Sequence, residues 1–468
     1  MRLRDCCSVQ AGGEQGERCV DAAHLAGLLQ GGEVGCLRGR VGCAEDGEPL
    51  RGGSGDELRD FAGIVEGIEV GVGEHDDRRS LCVRSGGEEQ EWEQAEEFQR
   101  STSGFAMVIS VSLRCYFIMD AMKRIAFDEL QERMERVLLA LGLAPERAAL
   151  SARLTAETDR DGVKTHGVAR LPRFAQGVRE DAIDPAAVPE CVASFGAIER
   201  WHGKRGPGNL AAYAAMQRAM EIAATHGLGC VALADTSHWM RAGTFGWQAA
   251  EAGFAAMCWT NTLANLPPWG ASTPALGNNP LVVAIPRNAV DGSSAPIVLD
   301  MAMSQFSYGS LASYSARGLE LPVPGGFDAA GNLTRDAKAI EESQRALPIG
   351  FWKGSGLSFV LDVLAAMLSG GLTTSELPLD PAKEVGQSQV FLAIAPQSLA
   401  AMDELSVVAQ RAIDAVHAAE PVEAGKPARY PGEGTLRIRA ESLSLGVAVE
   451  DVAWEMFVKL EASLRSKQ

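Results

Sequence analysis

The chain has 468 residues, enough for two or three domains with sizeable cores, and its composition (46% hydrophobic, 22% charged) is that of a soluble globular protein. A net charge of −18 argues against nucleic acid or an anionic membrane as the main partner, and no apolar run reaches transmembrane length. The acidity is concentrated early: residues 1–121 hold 12 Arg and no Lys against 23 Asp and Glu, so the remainder is only mildly acidic.

Residues 1–121 are rich in Gly, Glu and Arg, show no sustained helical or strand period, and repeat Gly-Gly and Gly-Glu pairs, so no packed core is expected there. Phe105–Met119 is apolar but contains Arg114, is too short to span a bilayer, and lies too far from Met1 for an ordinary signal peptide. The segment is read as a disordered or non-native extension, with translation expected to begin near Met122, or at Met107 or Met119. Cys6, Cys7, Cys19, Cys36, Cys43, Cys82 and Cys115 precede Met122 without zinc-site spacing. Cys191, Cys230 and Cys258 lie in apolar surroundings, as reduced core thiols of a cytosolic protein would.

From Met122 onward one domain is expected to about residue 460: a helical part over 122–225, a second part over about 226–400, and a C-terminal helical part returning to it. Phe127, Leu130, Met134, Val137, Leu138 and Leu141 fall at helical spacing up to Gly142, and Pro145 opens a second helix. That pair runs into Thr165-His166-Gly167, with Arg170 and Arg173 following. In a helix, His166, Arg170 and Arg173 would share one face. Two guanidiniums beside an imidazole suit a small oxo acid, because Arg clamps a carboxylate while His passes a proton to the neighbouring oxygen. Solvated side chains at a helix end would look the same.

Asn209–Thr225 is a helical pattern, and Cys230–Ala234 reads as a buried strand. His238 follows that strand, at the carboxyl end where open α/β sheets place ligands; a core histidine bonded to backbone is the alternative. A helix over Trp247–Ala252 and strands over Phe254–Thr260, Leu281–Ile285 and Pro296–Leu299 come next. The turn Asp300-Met301-Ala302-Met303-Ser304-Gln305-Phe306 then opens a helix; its free N–H groups and hydroxyls suit a phosphate or ribose, unless Ser304 is simply the N-cap. Trp352-Lys353 lies between glycines ahead of the apolar helix Leu357–Leu368, where the lysine could meet a phosphate or only solvent. Pro378–Ser388 reads as a mixed-charge loop, Val390–Ile394 as a strand, and Gly432-Glu433-Gly434 as part of an exposed turn.

Gly206-Pro-Gly208-Asn-Leu-Ala and Gly227-Leu-Gly229-Cys-Val-Ala fit GxGxxA, but the first follows a polar stretch and the second precedes its strand, so a Rossmann site is rejected. No HExxH, GxSxG or GxxxxGK[ST] occurs, and no metal site is expected.

Taken in order, the motifs Gly162–Phe174, Ser237-His-Trp-Met-Arg241, Cys258–Thr262, Pro267–Gly270, Gly277-Asn-Asn-Pro280, Asp300–Gly309, Leu321–Asp328 and Gly350–Gly356 resemble the malate/L-lactate dehydrogenase-like family of NAD(P)-dependent oxidoreductases. The resemblance covers residues 122–460 and none of 1–121. It implies a non-Rossmann α/β fold, a mixed sheet with surrounding helices, and a cytoplasmic homodimer that takes a small oxo or hydroxy acid. It also implies NAD(H), with NADP(H) as the alternative, and His166 as the proton donor with His238 sharing the acid/base work. Arg170 and Arg173 would hold the substrate carboxylate; Asp300–Phe306, Trp352-Lys353 and Gly432-Glu433-Gly434 match the family's cofactor-binding segments. The sequence departs from the pattern in a long Arg287–Ala295 loop and in Gly432-Glu433, where a His-Glu pair is expected. Malate or lactate, a ureido or sulfo hydroxy acid, or a cyclic imine are alternative substrates, and an inactive nucleotide-binding paralogue is the alternative from another class.

Overall fold

The computed structural model describes residues 68–75, 78–85 and 123–465, apart from 290, 379, 381–383 and 424. Residues 1–121 and 122–468 are two compact units. In the first, the described part is an antiparallel hairpin of β1 (Ile68–His75) and β2 (Arg78–Ser85). Ile68, Val70 and Val72 alternate there with Glu69, Gly71 and Gly73, a strand period too short to stand out in the wider segment. The other expectations for residues 1–121, including the start near Met122, lie outside the described residues.

The second unit is built on a seven-stranded mixed sheet, ordered β4–β5–β6–β12–β7–β8–β9. Its strands are β4 (Glu190–Phe195), β5 (Ile198–Gly206), β6 (Leu228–Ser237), β7 (Ala255–Thr260), β8 (Leu281–Ile285), β9 (Ile297–Met301) and β12 (Val385–Ile394). Only β5 and β6 run parallel; every other neighbouring pair is antiparallel. β6 is apolar without alternation because both its faces are covered. Val231 and Leu233 meet α4 (Gly208–His226) and α5 (Gly243–Glu251), whereas Cys230 and Ala232 meet α6 (Tyr308–Ala316), α7 (Ala337–Ser343) and α8 (Trp352–Ser369).

A third core joins the two ends of the unit. α1 (Phe127–Ala140), α2 (Pro145–Arg160) and α3 (Leu171–Arg179) pack against α11 (Asp451–Arg465), with Leu130, Met134, Leu171 and Phe457 wholly buried. β3 (Lys123–Ile125) pairs with β13 (Val447–Val449), which follows α10 (Glu433–Leu445), so the last strand closes on the first. The small β10 (Gly326–Phe327) and β11 (Leu333–Thr334) pair beside α7, and α9 (Met402–His417) follows β12.

Several expectations change. Residues 190–206, taken as part of a helical region, supply the edge strand β4 and its neighbour β5. Every residue of β4 is exposed, so it carries no hydrophobic period to read, and Cys191 is an exposed thiol, unlike the buried Cys230 and Cys258. β5–α4–β6 is a parallel β-α-β unit, so Gly206–Ala211 does follow a strand and open a helix. It is still no phosphate loop: the Gly208 N–H donates to Ser237 Oγ at 2.9 Å, and a Cβ on Gly208 would collide with the Ser237 carbonyl. α6 is capped by Ser307, whose Oγ accepts from the Ser310 N–H, not by Ser304. The long Arg287–Ala295 loop folds back on itself and is pinned by the buried Arg287, which donates to the Ala295 carbonyl and to Gln410.

Candidate active site

α2 ends in a series of turns. Gly162 takes φ +84°, the His166 N–H donates to the Val163 carbonyl, and a single 3₁₀ turn (Val168–Arg170) leads into α3. His166, Arg170 and Arg173 therefore do not share one α-helical face; only Arg173 lies on a regular helix. The break has a local cause, since Asp159 Oδ2 accepts the Val168 N–H at 2.7 Å. The same carboxyl requires glycine at 167, where a Cβ would overlap it. Burial pushes Asp159 up to about 8, against the opposing Val168 hydrogen bond.

This turn presents the His166 imidazole half-buried, with Thr165 Oγ1 2.7 Å from Nδ1. Thr165 packs so closely on Gly309 that a Cβ there would overlap its methyl group. The His166 loop thus rests on the start of α6. Burial, then the charges of Arg170 and Arg241, push His166 down to about 3, which leaves it neutral near pH 7.

His238 follows the last residue of β6. Its ring stacks on that of His166 with centroids 5.7 Å apart and planes 24° from parallel. Nδ1 accepts the Met240 N–H at 3.0 Å, and Nε2 lies 2.6 Å from Arg170 Nη2. The backbone bond of a core histidine and a site-facing nitrogen therefore occur in the same ring. Burial, followed by the charges of Arg170, His166 and Arg173, holds His238 well below the usual histidine range.

Glu384 completes this cluster. Val385 lies opposite Ser237 in the β12–β6 ladder, so the residue before it lands beside His238. Its carboxylate is 3.1 Å from Arg173 Nη2 and 3.7 Å from Arg170 Nη2. Arg170, Arg173, Phe174, His238, Met240 and Glu384 line a small open cleft. Nothing in the mixed-charge stretch 378–388 marked Glu384 for this position, because the polar Gly386-Gln-Ser-Gln389 separates it from the apolar run Val390–Ile394 that announced the strand.

Behind the turn is an ionic cluster that sequence reasoning also missed. Burial would raise Asp161, but hydrogen bonds and charges from Arg439, Arg241 and Arg160 hold it at about 2. Arg241 is buried, 2.7 Å from Asp161 and 3.7 Å from Asp300. It thereby joins the His166 loop to the end of β9.

Asp300 accepts the Gly243 N–H at 2.9 Å. Met301 ends β9 and Ala302 follows it; Met303 is wholly buried, its N–H donating to Asn278. Ser304 Oγ is buried with no partner among the described residues, the Gln305 N–H donates to Leu347, and Phe306 packs edge-on to Tyr314. The Ile349 N–H donates to the Met303 carbonyl, which joins this segment to the turn Gly350-Phe351 and to the exposed Trp352 and Lys353. Gly432 lies against Val298, two residues before Asp300. Glu433 is engaged by His417 at 3.1 Å and by the Tyr430 N–H, and Gly434 is in the first turn of α10. A buried hydroxyl without a partner, beside a glycine turn that carries a lysine, fits a ribose or phosphate group.

Three comparisons bear on this arrangement. The malate/L-lactate dehydrogenase family profile matches residues 125–457. The chain is 45% identical over 332 residues to proteins named 2,3-diketo-L-gulonate reductase from Citrobacter koseri and Klebsiella pneumoniae; each match covers 71% of this chain and 98% of the relative. Among solved structures, it resembles the sulfolactate dehydrogenase of Methanocaldococcus jannaschii, with a TM-score of 0.67 at 23% identity, over 73% of this chain and 98% of that one.

Proposed function

The chain belongs to the malate/L-lactate dehydrogenase family and is an oxidoreductase with a nicotinamide cofactor and a small acid substrate; we propose that it reduces 2,3-diketo-L-gulonate to 3-keto-L-gulonate with NADH. The relatives at 45% identity, of which the match covers 98%, support that substrate. The observation that carries the site is the stacked pair His166 and His238, with Arg170 2.6 Å from the His238 ring and both Arg170 and His238 lining the cleft.

When bound, the reduced nicotinamide supplies a hydride to the substrate carbonyl carbon. Arg170 and Arg173 hold the substrate carboxylate and fix which carbonyl is presented. His238 donates from Nε2 to the carbonyl oxygen, and His166 delivers the proton that the oxygen takes up. Asp300–Phe306, Trp352-Lys353 and Gly432–Gly434 hold the cofactor. Residues 122–460 form the oxidoreductase domain, and residues 1–121 are an extension outside it.

The enzyme works as a cytoplasmic homodimer. Among the described residues no helix is long and apolar enough to cross a membrane. The exposed Phe359, Val360, Leu364 and Met367 of α8 support a second copy as partner.

Rates of NADH and NADPH oxidation with 2,3-diketo-L-gulonate, oxaloacetate, pyruvate, a sulfo-oxo acid and a cyclic imine test this reading. The highest kcat/KM is expected for 2,3-diketo-L-gulonate with NADH; a clear preference for another substrate overturns the assignment.

A further inference from the structure

The cleft has a charge balance that the reduction does not by itself require. Its lining holds two guanidiniums, Arg170 and Arg173, against one carboxylate, Glu384, beside the ring of His238. Glu384 is close enough to offset the arginines, at 3.1 and 3.7 Å, with its side chain 11% exposed. Neither side is satisfied by this pairing. Glu384 Oε2 is buried and paired with Arg173 without an aligned hydrogen bond, and Arg170 Nε is buried with no acceptor among the described residues. Among the described residues, the hydrogen-bonding capacity of both groups is thus incompletely used, and both residues line the cleft. A ligand with one carboxylate and a hydroxyl suits this balance: the carboxylate and Glu384 together match the two guanidiniums, whereas a second carboxylate would exceed the positive charge of the described lining and face Glu384 at a cost.

We propose that Glu384 is the specificity-determining residue of the cleft: it restricts the substrate to a monoanionic, hydroxyl-bearing oxo acid and excludes dicarboxylates. The inference rests on the reduction of an oxo acid at this cleft. Specificity here comes from a repulsive element as much as from the arginine clamp.

E384Q keeps the shape and removes the charge, whereas E384D keeps the charge. In E384Q the ratio of kcat/KM for oxaloacetate to that for 2,3-diketo-L-gulonate should rise at least about tenfold, and E384D should retain the wild-type ratio. Calorimetric titration with oxamate (one carboxylate) and malonate (two) should show the same shift towards malonate in E384Q. An equal loss on all substrates, with both ratios within about twofold of wild type, would mean that Glu384 only braces the arginines, and would overturn the proposal. If the wild type turns over no oxo acid while E384Q still shifts the oxamate–malonate ratio, the proposed reaction fails and the role of Glu384 stands. If the wild type turns over an oxo acid while E384Q leaves both ratios unmoved, the reaction stands and the role of Glu384 fails.

Discussion

Arg170 and His238 meet donor to donor. Arg170 Nη2 lies 2.6 Å from His238 Nε2, while the Met240 N–H already donates to Nδ1 of the same ring. A neutral imidazole accepts at only one nitrogen. With Nδ1 accepting from the backbone, Nε2 carries the proton and faces a guanidinium that can only donate. An oxygen that accepts from both, once the two side chains part to admit it, relieves the conflict, and a substrate carbonyl or carboxylate oxygen is such a group. Proton–nitrogen correlation spectra should therefore show the Nε2–H tautomer of His238. Arg170→Gln should raise KM for the oxo acid ~10–100-fold with a smaller change in kcat; an unchanged KM would remove Arg170 from substrate binding.

His166 poses a problem of proton supply. Burial, helped by Arg170 and Arg241, puts its pKa near 3, so at neutral pH it holds no extra proton to give. An anion bound at Arg170 cancels part of the positive field and raises that pKa. Oxamate binding to the holoenzyme should draw a proton from solution, seen as a dependence of binding enthalpy on the buffer's ionisation enthalpy. His166→Gln should abolish that uptake and lower kcat by ~10²–10⁴ with NADH affinity little changed. Near-normal turnover in the variant would transfer the acid role elsewhere.

What could be read from the chain alone follows from where each signal resides. α1, α4 and α8 announce themselves by apolar spacing, and β6 by an unbroken apolar run, since their packing is written in consecutive residues. His166 stands out because glycines frame it, and His238 because it follows that apolar run. Glu384 and His238 are neighbours only through the β12–β6 register, nearly 150 positions apart in sequence. Asp161 and Arg439 likewise meet only once α10 has returned to α2. β4 was illegible for the opposite reason, having no buried face to pattern.

Gly167→Ala tests the turn that carries His166. A methyl group at 167 overlaps the Asp159 carboxyl group, which cannot retreat without releasing the Val168 N–H. The substitution should cost about 1–3 kcal/mol of stability and lower kcat. Asp159→Ala opens the space, so the double variant should be less destabilised than the sum of the singles. Strict additivity in that cycle would deny the contact.

Lys353 and Ser304 should share cofactor binding. The lysine stands on a glycine turn tied by the Ile349–Met303 hydrogen bond to the segment that contains the unpartnered Ser304 hydroxyl. Lys353→Ala should weaken NADH about tenfold in a fluorescence titration, with kcat at saturating NADH close to wild type. Ser304→Ala should weaken it less, since a neutral hydrogen bond is the smaller loss. Unaltered NADH affinity in both would place the cofactor's polar groups on other residues.

Asp159 and His166 should leave opposite marks on stability against pH. Asp159 is raised from 3.8 to about 8 in the folded chain. Its contribution is full below the unfolded value and is lost as pH rises through the folded one, so it declines from about pH 4 to about pH 8. His166 is lowered from 6.5 to about 3, so its contribution is full above the unfolded value and is lost as pH falls from 6.5 towards 3. Asp159→Asn removes only the first effect and keeps an oxygen for the Val168 N–H. The Tm of this variant minus that of wild type should therefore climb steadily from pH 5 to pH 8 and level off above it. Comparison at each pH cancels the histidine contribution, which both proteins share. A Tm difference that stays constant across that range would mean that Asp159 is already ionised in the folded protein.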